Sequence, residues 1–445
     1  MSPKIKETNR RILLVGTVPY KNSGPTRSFE TYFSSLDGED DIAQIFSNPD
    51  TPCKGQCSTL FQITDRMLLK RVFDKKEKVG KVFVRGDLQD SDKTNQSSIS
   101  TIPSFFRFKK TPFKHLLRKF LWKKKRWKTE ELDKWLDDFR PNCVVLSFSN
   151  DFFILDIAKY VSKRFGIPIV SIISDDYYFN SHFSLSPFYY LYRFPYKRNV
   201  RKLLKANPYI AFISDKIALK YNNYFGTKGK VVHLSSSIKR RAFKPINSNS
   251  PVFSYFGNLQ CDRYKSIVDI ANSVSLYAGS STINVYSSNA DKKVIKAFKK
   301  CKNIHFCGSV SYEEVLKKTY ESDVLLLVEN FTKKNINATK YSLSTKVADS
   351  IRSGVNLFGY GSSECGMIEY LVNNNACVVC DKKEALKEKL MQLLFDKTLS
   401  LKMYETAGYL SDNNHDLNKN GLIFLSLIDD ALKNYRKTGF QDEDI

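Results

Sequence analysis

Three basic side chains in the second half of the chain have the types and positions needed to bind a phosphate group. Arg263 and Lys265 follow a short apolar run that ends at Gly257, and Lys346 stands where a helix is predicted to begin. Breaking a bond to phosphate leaves more negative charge on its oxygens, which fixed cations and backbone N–H groups stabilise. The pattern predicts an anion site, although three surface cations among 71 Lys and Arg residues would give the same pattern.

Four carboxylates could bind hydroxyl groups, which donate well to a bidentate acceptor. Glu329 ends one predicted strand, and Asp349 lies in the helix that follows Lys346. Asp175 and Asp176 come directly after another predicted strand, where they could also serve as a base. Structural alternatives stay open for these residues, because a helix cap or a solvated loop charge has the same sequence pattern.

A glycine-containing loop follows the first predicted strand, residues 11–16. Gly16 ends that strand, and Ser23 and Gly24 lie in the loop before a helix predicted over residues 27–36. Without a Cβ atom, glycine lets the backbone approach a ligand closely. We predict an acceptor or phosphate loop here, while turns use glycine in any case.

Strands and helices that alternate along the chain must position these residues. Short apolar runs bounded by helical patterns predict a parallel, doubly wound α/β sheet, and the alternation starts again after the polar stretch 235–251. The predicted fold is therefore two tandem Rossmann-like domains that face a cleft, where ligands of such sheets bind. The predicted boundaries are 1–238 for the first domain with a basic insert at about 100–130, 239–251 for a linker, 252–425 for the second domain, and 426–445 for a C-terminal helix and acidic tail.

Composition limits the class of protein. The 445 residues are 42% hydrophobic and 26% charged, which excludes wholesale disorder and collagen-like repeats. A formal net charge of +25 implies an anionic partner. Nine scattered cysteines, with Cys377 and Cys380 inside an apolar run, predict structural thiols in a reducing compartment and no metal site.

Two stretches resemble retaining glycosyltransferases of the large family 4 group, which have the GT-B fold. In Asn207–Leu234 a strand is followed by Ser214-Asp215, a helix, Phe225-Gly226 and a second strand. In Phe256–Ala376 the turn Gly257-Asn258-Leu259 precedes Arg263 and Lys265, and the segment Ser344–Gly354 resembles the family's donor-binding segment. The resemblance covers most of residues 140–380 and, weakly, residues 10–36.

The resemblance implies a retaining, metal-independent transfer of a sugar from a nucleotide diphosphate, with no cofactor besides this co-substrate. The residues to which it assigns catalysis are Arg263, Lys265, Lys346, Asp175 and Asp176. The residues to which it assigns donor binding are Gly257, Asn258, Glu329, Ser344, Thr345, Asp349, Gly361, Ser362 and Ser363. The family places seven residues between its two motif carboxylates, whereas about twenty separate Glu329 from Asp349, so we expect residues 330–343 to loop out.

Residues 105–128 contain eleven Lys or Arg residues and no acid. Leu117, Phe120 and Leu121 recur at helical spacing among them, which is typical of an interfacial amphipathic helix. A second aromatic and basic run spans residues 188–205. We predict contact of 105–128 with the inner face of the cell membrane, a cytoplasmic location, and a glycan or lipid-linked acceptor in surface polysaccharide (capsule or lipopolysaccharide) synthesis. A solvated basic helix is the alternative.

Three other functions remain open on the sequence. Basic residues interleaved with aromatics also suit single-stranded nucleic acid, but no zinc-finger spacing or glycine–aromatic RNA-binding motif is present, so no nucleic acid is expected. A nucleotide-sugar epimerase of the same fold would need acid/base groups, and the chain has five histidines. A non-catalytic sugar-binding protein is the third. The polar N-terminal residues lack the apolar core of a signal peptide, and no apolar run is long enough to span a membrane.

Overall fold

The computed structural model describes residues 9–20, 28–88, 111–181 and 183–435. They form two compact units, each built on a parallel β-sheet with helices. The first unit comprises the chain up to Phe212 together with residues 218–231 and the segment from Gly421, and the second comprises residues 213–217 and 232–420. The predicted α/β class with two parallel sheets is confirmed.

The first unit contains an eight-stranded sheet in the order β4-β3-β2-β1-β5-β6-β7-β8. Its strands are β1 (Arg11–Val15), β2 (Asp41–Phe46), β3 (Thr59–Gln62), β4 (Lys81–Val84), β5 (Cys143–Ser147), β6 (Ile169–Ile173), β7 (Ile210–Phe212) and β8 (Lys230–Val231). All neighbours pair in parallel except β3 and β4. The strand order reverses between β1 and β5, and ligands of doubly wound sheets bind at such a point, beyond the carboxyl ends of the strands.

Three of the helices that begin in this part of the chain start at a threonine that caps them. Thr129, for example, accepts a hydrogen bond from the backbone N–H of Leu132 and so satisfies a donor at the start of its helix. The helices are α1 (Ser28–Phe33), α2 (Asp65–Phe73), α3 (Pro112–Leu121), α4 (Lys124–Trp127), α5 (Glu130–Phe139), α6 (Phe152–Phe165), α7 (Pro187–Ala206) and α8 (Asp215–Phe225), whose first residues belong to the second unit.

The second unit contains a six-stranded, fully parallel sheet in the order β11-β10-β9-β12-β13-β14. Its strands are β9 (Val252–Phe256), β10 (Thr282–Tyr286), β11 (Ile304–Gly308), β12 (Val324–Val328), β13 (Asn356–Tyr360) and β14 (Val378–Cys380). The helices are α9 (Arg263–Val274), α10 (Lys292–Phe298), α11 (Tyr312–Glu321), α12 (Lys333–Thr339), α13 (Lys346–Ser353), α14 (Gly366–Asn374), α15 (Leu386–Phe395), α16 (Lys397–Asn414) and α17 (Leu417–Asn434).

Two regions differ from the sequence prediction. Residues 50–88, whose sequence shows no clear helix or strand pattern, contain β3, β4 and α2, because these elements are short and their apolar residues follow no clean period. Leu117, Phe120 and Leu121 lie in α3, as their helical spacing predicts. The insert 330–343 does not simply loop out, since α12 lies within it and buries Asn335, Ile336 and Thr339. Residues 235–251 form no helix or strand, and Cys377 and Cys380 are buried free thiols.

Across the described ranges, no helix combines the length and the apolar character needed to cross a bilayer. The final helix, α17, joins the first unit from Gly421 onward. Its Phe424 packs edge-on against Tyr32 and Phe33 of α1, with ring centroids 5.0 and 5.6 Å apart. The C-terminal helix therefore completes the core of the first unit.

Arg10 fastens α17 to the sheet of the first unit through two ion pairs. Its Nη1 lies 3.0 Å from Oδ2 of Asp40, and its Nε lies 2.8 Å from Oδ1 of Asp429. The side chain of Asp40 is only 1% exposed. A carboxylate that is buried to this degree requires a cation, because removing one partner of a buried ion pair leaves an uncompensated charge.

We expect Arg10→Met to lower the free energy of unfolding of the first unit by about 3 kcal/mol, since Asp40 loses its cation. Trp122, Trp127 and Trp135 are the chain's three tryptophans and all lie in the first unit, so urea unfolding followed by tryptophan fluorescence reports that unit. Lys70→Met is the control, because Lys70 pairs with Glu77 at the exposed surface and should change the value by less than about 1 kcal/mol. Equal destabilisation by the two variants would contradict the role given to Arg10.

Candidate active site

The second unit brings predicted site residues together at the carboxyl ends of three neighbouring strands. Gly257 follows β9, Glu329 follows β12 and Gly361 follows β13. The strand order of this sheet reverses between β9 and β12. Two loops that leave a parallel sheet in opposite directions open a crevice at that point, so this is the expected ligand site of the unit.

Arg263 and Glu329 form the centre of the candidate site. Nε of Arg263 lies 3.0 Å from Oε2 of Glu329, and Nη2 lies 2.7 Å from Oε1. Nη1 also donates to Oδ1 of Asn258 at 2.7 Å. The side chains of Arg263 and Glu329 are 13% and 4% exposed, so the bidentate pair is largely removed from water.

The backbone around Glu329 is fixed on two sides. Its N–H donates to the carbonyl of Tyr360 at 2.9 Å, and its own carbonyl accepts from the hydroxyl of Ser266 at 2.7 Å. Gly361 has φ of +155°, and a Cβ atom there would lie 2.8 Å from Cβ of Glu329. Glycine is therefore required at 361 for both its conformation and the space it leaves to Glu329.

Lys346 reaches the same place from the first residue of α13. Its Nζ lies 3.2 Å from the hydroxyl of Tyr255 and 4.3 Å from the centroid of that ring. A Cβ atom on Gly257, whose φ is +143°, would lie 2.9 Å from Nζ. Lys346 thus lies directly over the end of β9, beside the Arg263–Glu329 pair.

The charge of Lys346 is poorly stabilised in the unliganded site. Burial and, to a smaller extent, the nearby Arg263 lower the pKa of Lys346 to about 7, while Glu329 opposes the shift. Arg263, by contrast, has its charge matched by Glu329. The cluster can accept an anion, because an arriving negative charge would restore the protonated form of Lys346 and add to the cations already aimed at the site.

The other predicted donor-binding residues lie on the loops of this edge. Ser344 and Thr345 come directly before α13, where Thr345 is exposed. Ser362 and Ser363 follow Gly361, and the hydroxyl of Ser362 accepts from the backbone N–H of Glu364 at 3.3 Å. Ser363 is exposed to solvent.

Two predicted residues are held apart from the cluster. Lys265 donates to Asp262 at 3.0 Å on the exposed side of α9. Asp349 accepts a hydrogen bond of 2.6 Å from the hydroxyl of Ser236. Tyr255 is not identified from the sequence, where the one available signal is a phenol within the short strand β9.

In the first unit, Asp176 is buried and accepts three hydrogen bonds: from the backbone N–H groups of Tyr178 and Phe179, at 3.2 and 2.7 Å, and from the hydroxyl of Tyr221, at 2.9 Å. These bonds fix the turn after β6. Asp176 therefore has the structural role that the sequence left open as the alternative to a role in catalysis. Asp175 accepts from the hydroxyl of Tyr177 at 3.3 Å.

Gly16 directly follows β1, and a Cβ atom there would lie 3.3 Å from that of Ser147. Ser23 and Gly24, the rest of the predicted acceptor or phosphate loop, lie outside the described residues, as do residues 105–110 of the predicted membrane segment.

The first unit also places a carboxylate that the sequence did not single out at its carboxyl edge. Asp151 follows β5 in the loop that leads to α6, and Nη1 of Arg118 donates to it at 2.7 Å. Nε of Arg118 lies 3.0 and 3.1 Å from the two oxygens of Asp65, which also accepts from the indole of Trp122 at 2.6 Å. In the part of the chain that the structure describes, no three His, Cys, Asp or Glu residues are grouped closely enough to hold a metal ion.

No protein-family model matches the chain, and no curated protein matches it in sequence. Solved structures do match. HepE from Anabaena, in complex with UDP and glucose, is 9% identical and aligns over 94% of this chain and 99% of its own, with a TM-score of 0.57. A glycosyltransferase from Rickettsia africae is 13% identical over 96% and 100% of the two chains, with a TM-score of 0.55.

TarM is 9% identical, with a TM-score of 0.51. The alignment covers 66% of this chain and only 57% of the length of TarM. At such low identity, these matches bear on the fold alone. The chain has the GT-B fold, the fold that the sequence resemblance implied.

Proposed function

We propose that this chain is a glycosyltransferase that moves a sugar from a nucleotide diphosphate to an acceptor. The observation that carries the proposal is the cluster of Arg263, Glu329 and Lys346 over Gly257, at the point where the strand order of the second sheet reverses. Solved proteins of the same fold include one named as a glycosyltransferase and one in complex with UDP and glucose, which supports the proposal.

The cluster suits the departure of a nucleoside diphosphate. When the bond between the sugar and phosphate breaks, the electron pair stays on the phosphate oxygen and its negative charge rises. Lys346 in its protonated form, Arg263 and the N-terminus of α13 would stabilise that charge. Each oxygen of Glu329 accepts one bond from Arg263 and retains a lone pair, with which it can accept from a sugar hydroxyl.

Several finer parts of the proposal come from the sequence resemblance. These are membership of family 4, retention of configuration, independence of metals and cofactors, and a role in surface polysaccharide synthesis. In a retaining reaction of this kind, the acceptor hydroxyl forms the new bond and passes its proton to the departing phosphate oxygen. Asp349 would bind the ribose, although in the unliganded chain it accepts a hydrogen bond from Ser236.

The acceptor is proposed to be a glycan or a lipid-linked glycan. Residues 105–128, of which 111–128 are described, were predicted to contact the inner face of the cell membrane, and their eight described cations support an anionic partner there. A cytoplasmic, peripheral location belongs to the same proposal.

A thermal-shift panel tests the donor class. We expect UDP, GDP or ADP, or their sugar conjugates, to raise the melting temperature, since a ligand at 100 times its dissociation constant adds about 2.7 kcal/mol of stability. Radiolabelled donor then distinguishes sugar transfer from epimerisation by the product formed. Stabilisation by oligonucleotides alone would instead favour nucleic-acid binding and would contradict the proposal.

Binding of the diphosphate should be coupled to proton uptake by Lys346. The pKa of Lys346 is about 7 in the unliganded site, and a bound diphosphate raises it, so Lys346 is mostly neutral before binding at pH 8.5 and protonated afterwards. We expect the affinity for UDP to fall between pH 7.5 and 9, by up to tenfold per pH unit, with uptake of up to one proton. Calorimetry in two buffers of different ionisation enthalpy measures both.

Lys346→Met should bind UDP more weakly and without this pH dependence. Lys265→Met is the matched control, since Lys265 is exposed and paired with Asp262, and it should keep the slope of the parent protein. Proton uptake that persists in Lys346→Met would assign the titration to another group.

Gly361→Ala should reduce the affinity for UDP at least tenfold while leaving the far-ultraviolet circular dichroism unchanged. The added methyl group would meet Cβ of Glu329 at 2.8 Å, and alanine adopts φ of +155° only with strain. Gly279→Ala is the control, because nothing lies within 4 Å of a Cβ atom there. Equal affinities of the two variants would show that the position of Glu329 does not matter for binding.

A further inference from the structure

An exposed apolar surface lies on the first unit, far along the chain from the diphosphate site. It is formed by the outer sides of α3 and α7 and by the residues just before α7, and we refer to it as the α3–α7 face. Its large apolar side chains are between 38% and 91% exposed. They are Phe113, Leu117, Phe120, Phe183, Leu185, Phe188, Leu191 and Phe194.

The two helices contact each other near their N-terminal ends. The rings of Phe113 and Phe188 are 5.2 Å apart, and those of His115 and Tyr192 are 4.7 Å apart. The exposed apolar residues of the two helices therefore meet at Phe113 and Phe188. Monomeric soluble proteins rarely expose contiguous apolar patches of this kind without a function.

Folding of the first unit does not require this face. The core side of α7 is supplied by other residues, among them the buried Tyr192, Tyr196, Val200 and Leu203. Their spacing of three or four residues places them on the opposite side of the helix from Leu191 and Phe194. The exposed residues are thus additional apolar surface and not part of the core.

Charge indicates what covers the face. Residues 111–128 and 183–206 contain fourteen Lys or Arg residues and no Asp or Glu. Clusters of cations follow the last exposed apolar residue of each helix: Lys123–Arg126 come after Phe120, and Arg198, Arg201 and Lys202 come after Phe194. The interface of an anionic lipid bilayer offers an apolar layer beside negatively charged headgroups. It is therefore complementary to a surface on which apolar residues are followed by cations.

Two other occupants match less well. A second copy of the chain would bring two basic surfaces of the same charge together, and like charges repel. Single-stranded nucleic acid stacks on aromatic rings, but the most exposed residue of the face is the aliphatic Leu185, which offers no ring to a base.

The inner sides of the same helices connect this face to the carboxyl edge of the first sheet. Arg118 of α3 binds Asp151, and the hydroxyl of Tyr196 in α7 donates to the carbonyl of Ser149 at 2.8 Å. The hydroxyl of Tyr192 donates to the carbonyl of Asn150. Both helices are therefore attached to the loop that follows β5, at the edge where the first sheet would bind a ligand.

We propose that the α3–α7 face docks on the surface of an anionic lipid bilayer, with Leu185, Leu191 and Phe194 inserted at the interface. Docking would bring the loop after β5 to the lipid headgroups. The acceptor is then a molecule carried by a lipid. This inference about the acceptor rests on the proposed function, whereas docking on the bilayer does not.

Vesicle binding tests the proposal with the whole chain. The triple variant Leu185→Ser/Leu191→Ser/Phe194→Ser should bind vesicles of phosphatidylcholine with 30% phosphatidylglycerol at least tenfold more weakly than the parent protein. The control variant is Leu219→Ser/Leu276→Ser/Leu422→Ser, whose three residues are 61–65% exposed on other helices or loops, and it should bind like the parent. Cosedimentation measures the partition coefficient.

Charge is tested separately with Lys123→Glu/Lys124→Glu/Lys125→Glu and with salt. Both this variant and 1 M salt should weaken binding to the anionic vesicles, because the screening length falls from about 10 Å at 0.1 M to about 3 Å at 1 M. Pure phosphatidylcholine vesicles should bind the parent protein at least tenfold more weakly.

The proposal is overturned if the parent protein does not bind anionic vesicles, or if the two leucine-containing triple variants bind them equally. Loss of self-association in the Leu185 triple variant, without any vesicle binding, would assign the face to a second copy of the chain. Competition by oligonucleotides in place of lipid would assign it to nucleic acid. Binding of UDP, measured in the same variants, reports on the second unit and shows whether the proposed function fails independently.

Discussion

The buried pair of Arg263 and Glu329 is the constraint on which the candidate site depends. A carboxylate that is only 4% exposed needs a matched cation, and the bidentate geometry fixes both side chains. This pair ties the start of α9 to the end of β12, on the two sides of the point where the strand order reverses. The same constraint explains the glycine at position 361, because the backbone that follows β13 can approach Glu329 only where it carries no side chain.

The fold was predictable from the sequence wherever strands are buried on both faces. Such strands, like β5 and β12, are short apolar runs between helical patterns, which the sequence shows directly. The elements within residues 50–88 have no such signal, because β4 is an exposed edge strand with polar neighbours. The same is true of α12, since that helix buries Asn335 and Thr339 and so lacks an apolar stripe.

The site was predictable in its residue types and less so in its geometry. Nothing in the sequence separates Arg263 from Lys265, yet positions two apart on a helix face nearly opposite directions, so only one of them can reach Glu329. Tertiary contact decides which, and the structure selects Arg263. The role of Asp176 was also beyond prediction from the sequence, because only the fold shows that Tyr221 and two backbone N–H groups donate hydrogen bonds to its carboxylate.

The distribution of charge distinguishes the two anionic partners. At the diphosphate site, Arg263 is matched by Glu329, Lys265 by Asp262, and Lys346 loses part of its charge to burial, so this region adds little to the surplus of +25. The segments that form and follow the α3–α7 face carry fourteen cations and no acid of their own. A site that must release its product can use balanced charge, whereas docking on an extended anionic surface uses many cations acting together. The two segments alone contribute +14 of the surplus of +25, whereas the diphosphate site contributes little to it.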